Sequence, residues 1–427
     1  MKTLNTARLG KIILFISVFA VLQNSIACSG YKITKGDKTI LGSNEDAWRT
    51  SPHIWFENRN SNYKYGAAFT GSRYDGDNGY APQSGMNEHG LAFERLVAYH
   101  PKQTPKTHTK TITNPTQYLK DILHNCQTVE EVRDYIQAYD HSYFLEDVFV
   151  YVDRSGKYLV VEPYQLIIGN DPSYVFSNFC PSITPDDKAQ KLERYKKGKA
   201  FLNHQLDTTA EFCRRLSDTM HVCRPKIGDG TLLSTIWDLK HQIVSVYFYH
   251  NYDSCVQFNL NTELQRGDHT IALETLFPTN PEFEALKTYK TPKNSQAIAL
   301  FIVLSAGILF FSTFYFLIRF IKNKTSYSEL WIALLSAVMV YYLFVLSGSI
   351  NVFYFPAPFK DPRSWLVSMS SYLPFVLLLS IVPLIYLLYK NIRNKTWNWM
   401  AISTFSSNLL IYCGLLGLFG YWRFFGV

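Results

Sequence analysis

The chain has 427 residues, of which 47% are hydrophobic and 16% aromatic, and 42 Lys and Arg against 34 Asp and Glu give it a formal charge of +8. This length allows roughly two to three domains. No block of Lys and Arg interleaved with aromatic residues occurs, so we expect no nucleic-acid partner.

Residues 1–27 have the pattern of a secretion signal. Basic residues precede an apolar core of 11 residues, Ile12–Leu22, which is shorter than the roughly 20 residues that span a bilayer. Ser25 and Ala27 then place small residues at the third and first positions before Cys28, as signal peptidase prefers. We therefore predict cleavage after Ala27, with an uncleaved anchor as the alternative.

The region 28–280 has a mixed pattern of strands and helices that is typical of an α+β domain with antiparallel sheets. Three strand pairs are predicted, each around a short turn: SGYKITK with TILGS, DVFVYVD with KYLVVEP, and LLSTIWD with IVSVYFY. Four helices are predicted between them: NPTQYLKDILHNC, TVEEVRDYIQAY, TPDDKAQKLERYKKGKAFLNHQL and TTAEFCRRLSDTMHV.

Two details of these helices support the assignment. Thr128 and Glu131 have the spacing of a capping box at the start of the second helix. The third helix has acidic residues first and basic residues later, which suits the helix dipole. We interpret its basic face as solvent-facing, and attraction to anionic lipid headgroups is the alternative.

Residues 281–295 are predicted to be a linker, and residues 296–427 a four-helix membrane region. Four segments are long and apolar enough to cross a bilayer: Gln296–Leu317, Leu330–Ile350, Trp365–Tyr389 and Trp399–Tyr421. Loops 319–324 and 390–395 are strongly basic, so the positive-inside rule predicts that both are cytoplasmic and that the first domain is extracytoplasmic. None of the four segments contains a charged residue, which indicates an anchor in the lipid bilayer rather than an ion pathway.

Cleavage after Ala27 would leave Cys28 with a free α-amine next to its thiol. A thiol titrates near about 8.5 and an α-amine near about 7.7–8.0, so the amine can accept the thiol proton without a second side chain. Other chemistry is not indicated, because the sequence has no HExxH, GxSxG or phosphate-loop motif, and its His and Cys lack metal-ligand spacing. We expect no metal and no cofactor.

Five stretches carry a family resemblance, and they occur in this order: CSGYKITKGDKTILGSNEDAW, SGMNEHGLAFE, KYLVVEP, YVFSNF and TLLSTIWDLKHQIVSVYFY. Over most of residues 28–260 the chain resembles the N-terminal-nucleophile (Ntn) cysteine hydrolases of the choloylglycine hydrolase, penicillin V acylase and linear amide hydrolase type. The resemblance implies a four-layer αββα sandwich that cleaves a non-peptide linear amide through a thioester. The expected fold class is thus an α+β sandwich of this type followed by four transmembrane helices.

The resemblance also implies roles for individual residues. Cys28 matches the nucleophile, and Asp46 matches an aspartate that orients the α-amine, although SNED alone would be interpreted as a polar turn. Asn178 matches an asparagine whose amide helps to form the oxyanion hole. Asn87 matches a turn residue with a mainly structural role and a substrate contact as a weaker option, and Tyr99 is a candidate for the substrate pocket.

The sequence departs from the family pattern at two arginines. Ser43 stands where the family commonly has an arginine near the nucleophile. The second arginine, usually just before the LLST strand, is missing, because Arg224 lies several residues upstream. These losses leave the substrate class and efficiency open, and Arg49, Arg73 or Arg95 could supply a cation instead.

Two other functions stay open beside that of a membrane-tethered extracytoplasmic amidase with a small acyl amide substrate. A lipoprotein would be acylated at Cys28, which would block both thiol and amine, although Ser25 is a poor fit to a lipobox. A catalytically degenerate domain could instead bind or sense a ligand, as the loss of arginine at Ser43 suggests. Acyl transfer instead of hydrolysis, a Cys213–Cys223 disulfide and the oligomeric state also stay open.

Overall fold

The computed structural model describes residues 28–47, 50–103, 110–223, 230–323, 327–349, 351–354, 357–361 and 364–426. These residues form two compact units, divided between Lys287 and Thr288. The predicted signal, residues 1–27, lies outside the described residues.

Strands form the centre of the first unit. In chain order they are β1 Ser29–Lys35, β2 Lys38–Ala47, β3 His53–Glu57, β4 Ala67–Gly71, β5 Arg73–Tyr74, β6 Tyr80–Ala81, β7 Ser84–Asn87, β8 Ala92–Val97, β9 Asp147–Val152, β10 Tyr158–Val161, β11 Leu166–Gly169, β12 Ser173–Ser177, β13 Gly230–Asp238, β14 Ile243–Phe248, β15 Val256–Asn259 and β16 His269–Ala272. The three predicted strand pairs are confirmed as β1–β2, β9–β10 and β13–β14, each antiparallel.

Helices connect the strands and then form the second unit. In chain order they are α1 Pro115–Asn125, α2 Val129–Gln137, α3 Asp186–Ala189, α4 Glu193–His204, α5 Ala210–Met220, α6 Leu260–Leu264, α7 Pro281–Thr288, α8 Gln296–Asn323, α9 Tyr327–Gly348, α10 Asn351–Tyr354, α11 Trp365–Ser370, α12 Leu373–Arg393 and α13 Trp399–Tyr421. The capping box is present in part: the Thr128 hydroxyl accepts the backbone N–H of Glu131, while the Glu131 carboxylate accepts that of Gln127.

Two antiparallel sheets form the centre of the first unit. One has six strands in the order β12-β1-β2-β13-β14-β15, and the other has eight in the order β11-β10-β9-β8-β7-β4-β3-β16. One hydrophobic cluster, including Leu41, Val150 and Trp237, fills the space between them. Two more clusters lie on the outer faces, one under α1 and α2 and one under α4 and α5. The layers therefore run helix, sheet, sheet, helix.

The prediction of one long helix over residues 184–206 is wrong. Leu192 has φ −81° and ψ 105°, so the chain is extended there and divides α3 from α4. The side chain of Leu192 packs against the cluster under α4 and α5, which favours this break. The basic residues are also not all in solvent, because Arg194 is buried on the same face as Tyr195 and Leu202.

The segment predicted as a linker is helical in its first part. Pro281 begins α7, where a missing N–H costs nothing because the first helical N–H groups have no intrahelical partner. Phe283 and Leu286 lie three positions apart and are both buried, and Phe283 packs edge to face on Phe248 at 4.8 Å between ring centroids. The burial of these two side chains on one helix face explains why this part is a packed helix and not a linker.

Among the described residues, the second unit contains four helical segments that are long and apolar enough to cross a membrane. Their bounds are Gln296–Lys322, Tyr327–Gly348, Trp365–Arg393 and Trp399–Tyr421. The third is interrupted between α11 and α12, and Pro374 lies in the first turn of α12, where proline is tolerated. The helices extend beyond the predicted segments and include Arg319 and Glu329, which form a salt bridge of 2.9 Å.

Neutral polar side chains meet inside this second unit. Asn408 Nδ2 donates to Ser312 Oγ at 2.6 Å and to Ser336 Oγ at 3.3 Å, and Ser336 lies 3.1 Å from the Tyr412 hydroxyl. We call these four residues the bundle polar cluster. Hydrogen bonds between helices of this kind stabilise packing in a bilayer.

Candidate active site

Cys28 lies immediately before β1, where the two sheets face each other. Its side chain is buried in the cluster between the sheets. Its carbonyl accepts a hydrogen bond at 3.4 Å from Ser177 Oγ on β12. Its thiol is approached at 3.8 Å by Nε2 of Gln83, the residue before β7 of the other sheet. The backbone N–H of Asp46 also faces the thiol. The fold therefore brings together the two residues that the sequence paired, Cys28 and Asp46.

Asp46 belongs to β2, because the strand continues through SNED to Ala47 instead of turning there. Opposite it, the pairing with β13 shifts register between Thr231 and Leu233, and such a bulge re-aims side chains. Thr231 Oγ1 donates to Asp46 Oδ1 at 2.7 Å. Asp46 Oδ2 is buried and has no hydrogen-bond partner among the described residues.

Two further carboxylates are buried near this pair. Ser72 Oγ donates to Glu45 Oε1 at 2.8 Å, but Glu45 Oε2 and both oxygens of Glu94 have no hydrogen-bond partner in the described part of the chain. Burial raises the pKa of Glu45 to about 7, and the neighbouring Asp46 adds to the rise. We call Glu45, Asp46 and Glu94 the site carboxylates; the salt bridges between described residues include none of them.

Ser43 occupies the position at which the resemblance implies an arginine. Its hydroxyl lies 3.0 Å from that of Thr235, and it faces Glu94. Burial raises the pKa of Glu94 well above its usual range. The side chains of Ser43 and Gln83 lie close enough to lower this pKa in part, although neither has the geometry of a hydrogen bond to the Glu94 carboxylate. A serine therefore faces a buried carboxylate here.

Among the described residues, none of the arginines proposed as substitutes places its guanidinium beside the Glu94 carboxylate. Glu94 and Arg95 are successive residues of β8, so their side chains point to opposite faces of the sheet. Arg95 forms a two-point salt bridge with Asp147, at 2.8 and 2.9 Å, and lies against Phe144 on the face that the helices cover. Arg73 is exposed, and positions 49 and 224 lie outside the described residues.

The surroundings disfavour the thiolate of Cys28. Burial raises the pKa of this thiol well above its usual value, the three site carboxylates raise it further, and the backbone N–H of Asp46 lowers it. A buried thiol among carboxylates stays protonated at neutral pH. Nucleophilic chemistry at Cys28 therefore requires a base or a cation next to it.

Asn178 lies one residue after β12 and is held in place by two contacts. Its Nδ2 donates to the carbonyl of Val97 at 2.6 Å, and its Oδ1 accepts from Arg194. An amide nitrogen carries two hydrogens, and the bond to Val97 uses one of them. Arg194 also donates to Ser177 Oγ at 2.9 Å, and Ser177 in turn contacts the carbonyl of Cys28.

Arg194 is one of the residues at this site that the sequence analysis missed. It was grouped with the exposed basic residues of its helix, yet it lies on the buried face and orients both Ser177 and Asn178. The signal that could have found it is the helical spacing of Arg194 with Gly198 and Leu202, which places it on the apolar face.

Asn87 is fully buried, and its amide is occupied within the fold. Its Nδ2 donates to the carbonyls of Leu123 and Cys126 at 2.7 and 2.8 Å, and its Oδ1 accepts from the N–H groups of His89 and Leu91, each at 3.0 Å. These contacts join the β7–β8 turn to α1. They support the structural role of Asn87, and a substrate contact stays a prediction.

Tyr99 lies on the segment that follows β8, and its ring is exposed. Its carbonyl is approached by the thiol of Cys180 at 4.0 Å. Val97, two positions earlier, is also exposed and is the residue that holds Asn178. A contact between the Tyr99 ring and a substrate stays a prediction.

The remaining cysteines do not match the suggested pairing. Cys213 is enclosed in the core under α4 and α5 and Cys223 lies at the surface, and no disulfide joins them. Instead, ligand atoms of Cys223, His250 and Glu282 lie within 4.8 Å of one another. These are residue types that can hold a metal, although the sequence spacing gave no reason to expect one.

Comparison with known proteins leaves the family open. No family model and no curated protein matches the sequence. Among solved structures, two variants of conjugated bile acid hydrolase from Clostridium perfringens align with 59% of this chain and 97% of theirs, at 16% identity and TM-scores of 0.43 and 0.44. Penicillin V acylase from Agrobacterium tumefaciens aligns over 58% of this chain and 92% of its own, at 15% identity and a TM-score of 0.43. At these values the likeness assigns neither family nor function.

Proposed function

We propose that the protein is a membrane-tethered, extracytoplasmic amidase that hydrolyses a linear acyl amide through a thioester on Cys28. The observation that carries this proposal is the buried Oδ2 of Asp46, which has no described partner and lies beside Cys28. An α-amine created at residue 28 would offer this oxygen a hydrogen-bond donor.

The charge balance of the site supports the same proposal. Burying an ionised carboxylate without a partner costs on the order of several kcal/mol. The three site carboxylates have four oxygens without a hydrogen-bond partner among the described residues. Cleavage after Ala27 would create an α-ammonium at Cys28, which supplies the cation that these carboxylates lack. The same cation would oppose their effect on the thiol pKa.

The proposed reaction follows from these groups. In its neutral form the α-amine of Cys28 accepts the thiol proton, and the sulfur attacks the substrate carbonyl to form a tetrahedral intermediate. The second N–H of Asn178 donates to the oxyanion. Collapse breaks the C–N bond, and the leaving amine takes the proton from the α-ammonium. Water then attacks the thioester, gives its proton to the α-amine and releases the acid and the thiol.

Asp46 orients the amine in this scheme, and Thr231 orients Asp46 through the bond to Oδ1. If another amine attacks the thioester instead of water, the same groups perform acyl transfer. The helix, sheet, sheet, helix order is that of the predicted Ntn sandwich, and the basic loops 319–324 and 390–395 are proposed to be cytoplasmic. An acyl group that partitions into the bilayer would reach such a tethered domain readily.

A second candidate, a binding or sensing module, is favoured by one observation: the pKa of Cys28 is raised and no described cation opposes this. Turnover separates the two functions. The full chain in detergent and its Cys28→Ala variant are incubated with penicillin V, bile-salt amides, N-acyl homoserine lactones and N-acyl amino acids, and products are identified by mass spectrometry. We expect hydrolysis that Cys28→Ala reduces by about 10³-fold or more. Equal products from both proteins, or ligand binding without turnover, would support the binding module.

A further inference from the structure

We propose that Cys223, His250 and Glu282 form a binding site for one zinc-like divalent metal ion in the first unit. The three residues are distant in sequence: Cys223 follows α5, His250 follows β14, and Glu282 lies in the first turn of α7. The fold brings one ligand atom of each within 4.8 Å of the other two.

The geometry suits zinc. His250 Nε2 lies 3.5 Å from Glu282 Oε2. In a tetrahedral site with metal–ligand bonds of about 2.0–2.3 Å, neighbouring ligand atoms are about 3.3–3.8 Å apart. The His–Glu distance already has this value, and the thiol needs to move by an ångström or less, roughly, which a surface side chain can do by a small χ1 change.

The charges and the surroundings of the three residues also suit a zinc ion. A thiolate, a carboxylate and a neutral imidazole together balance the charge of a divalent cation, and Cys, His and Glu are all common zinc ligands. The His250 side chain is only 11% exposed while that of Glu282 is 59% exposed, so the site is anchored on one side and open to solvent on the other. Three protein ligands leave a fourth position for water.

A neighbouring histidine supports the position of the imidazole. His221 stacks on His250 with ring centroids 5.8 Å apart and an interplanar angle of 15°. His221 is itself held by Asp218 at 3.1 Å. The stacking contact therefore limits rotation of the His250 ring.

Hydrogen bonds connect the proposed metal site to Asp46. The residue before Cys223, Val222, exchanges two bonds with Thr231: its carbonyl accepts the Thr231 N–H at 2.8 Å, and its own N–H reaches the Thr231 hydroxyl at 2.9 Å. That hydroxyl donates to Asp46 at 2.7 Å. A metal held by Cys223 would therefore fix the segment that positions Asp46. This consequence rests on the proposed function, whereas metal binding itself does not.

The test uses the full chain in detergent in a Cys28→Ala background, so that an N-terminal amine and thiol cannot chelate metal. After dialysis against Zn²⁺ and removal of excess, elemental analysis is expected to give one zinc per chain. Co²⁺ loaded instead is expected to give a thiolate-to-cobalt absorption band. Cys223→Ser should abolish the band, and Glu282→Gln and His250→Ala should weaken zinc affinity by about tenfold or more.

Cys255→Ser is the matched control, because Cys255 is another exposed cysteine of the same unit, and its thiol contacts the Val256 carbonyl and the Tyr247 hydroxyl. It should keep the band. Zinc at background level, or a cobalt band that survives Cys223→Ser, would overturn the proposal. Glu282→Gln changes a surface residue, so it tests the site even if Cys223→Ser fails to fold. Loss of amide turnover in the chain with Cys28 leaves these metal measurements unaffected, so the two proposals fail separately.

Discussion

The two units of the molecule differ in how they compensate buried carboxylates. In the first unit, the three site carboxylates surround Cys28 and keep four oxygens without a described partner. In the second unit, the bundle polar cluster is neutral and the buried carboxylate of Glu329 is paired with Arg319, although Asn408 Oδ1 and Glu329 Oε2 also have no hydrogen-bond partner among the described residues.

This difference indicates a functional site in the first unit and a structural role for the buried polar groups of the second unit. Buried carboxylates in folded proteins are normally paired, and a cluster of carboxylates without a cation indicates a functional site or a missing partner. The bundle polar cluster meets the requirement of packing in a bilayer. The carboxylates near Cys28 do not help the first unit to fold, which is why we assign the chemistry to them.

The largest effect is expected from Asp46→Asn. The amide is neutral and offers an N–H toward the amine, so it cannot orient the α-amine, and kcat should fall by about 10³-fold with little change in KM. Steady-state kinetics on the amide found by screening gives both values. Asp77→Asn, an exposed aspartate, is the control and should keep its activity; a loss of less than tenfold in Asp46→Asn would remove Asp46 from the mechanism.

A smaller loss is expected from Asn178→Ala. Removing one oxyanion donor reduces kcat by about 10²-fold or more. The opposing possibility is that Asn178 only joins β8 to β12 through Val97. In that case the variant would lower the thermal midpoint and leave kcat per folded molecule unchanged, so both quantities are measured on the same sample.

The pH dependence of stability tests the buried charge itself. Burial and the neighbouring Asp46 raise the pKa of Glu45 to about 7, against about 4.3 in an unfolded chain. The folded state therefore holds a proton that the unfolded state loses, and stability should fall by up to about 3 kcal/mol as pH rises from about 4.5 to 7. Thermal midpoints across this range measure the fall.

Glu45→Gln should flatten that pH profile. Ser72 can donate to the new amide oxygen as it does to Glu45, so the variant keeps the packing. An α-ammonium at Cys28 would favour ionised Glu45 and reduce the fall, so the processed chain should show a smaller effect than an uncleaved form. A Glu45→Gln profile identical to that of the parent would show that Glu45 is not the titrating group.

The smallest effect on chemistry is expected in the second unit. Asn408→Ala removes the donor that joins Ser312 and Ser336, which should cost the helices about 1 kcal/mol of stability. Activity toward a water-soluble amide should change by less than about twofold. A large loss of kcat in Asn408→Ala would break the division between site and scaffold.

Sequence alone predicted the parts that depend on local pattern. Alternation of apolar residues found β1–β2, β9–β10 and β13–β14, and hydropathy found the four apolar helices. It missed β3 and β4, short strands without a clear turn signal, and it extended one helix past Leu192, whose burial depends on tertiary packing.

For the site, the sequence paired Cys28 with Asp46 through a resemblance, and the structure brings them together. It could not show that Glu94 comes to the same place, because that carboxylate belongs to the opposite sheet. It missed the three proposed metal ligands for the same reason, since they come from segments that are distant in the chain, and it missed Arg194, whose position on the apolar face of its helix is a local signal.

The most direct test is to measure the mass of the intact protein before and shortly after it is mixed with an amide that the screen identifies as a substrate. We predict a chain that begins at an unmodified Cys28, followed by transient addition of one acyl group that peptide mapping places on Cys28 and that hydroxylamine removes. A mass that retains residues 1–27, a diacylglyceryl adduct on Cys28, or turnover without any acyl group on that residue would contradict the account.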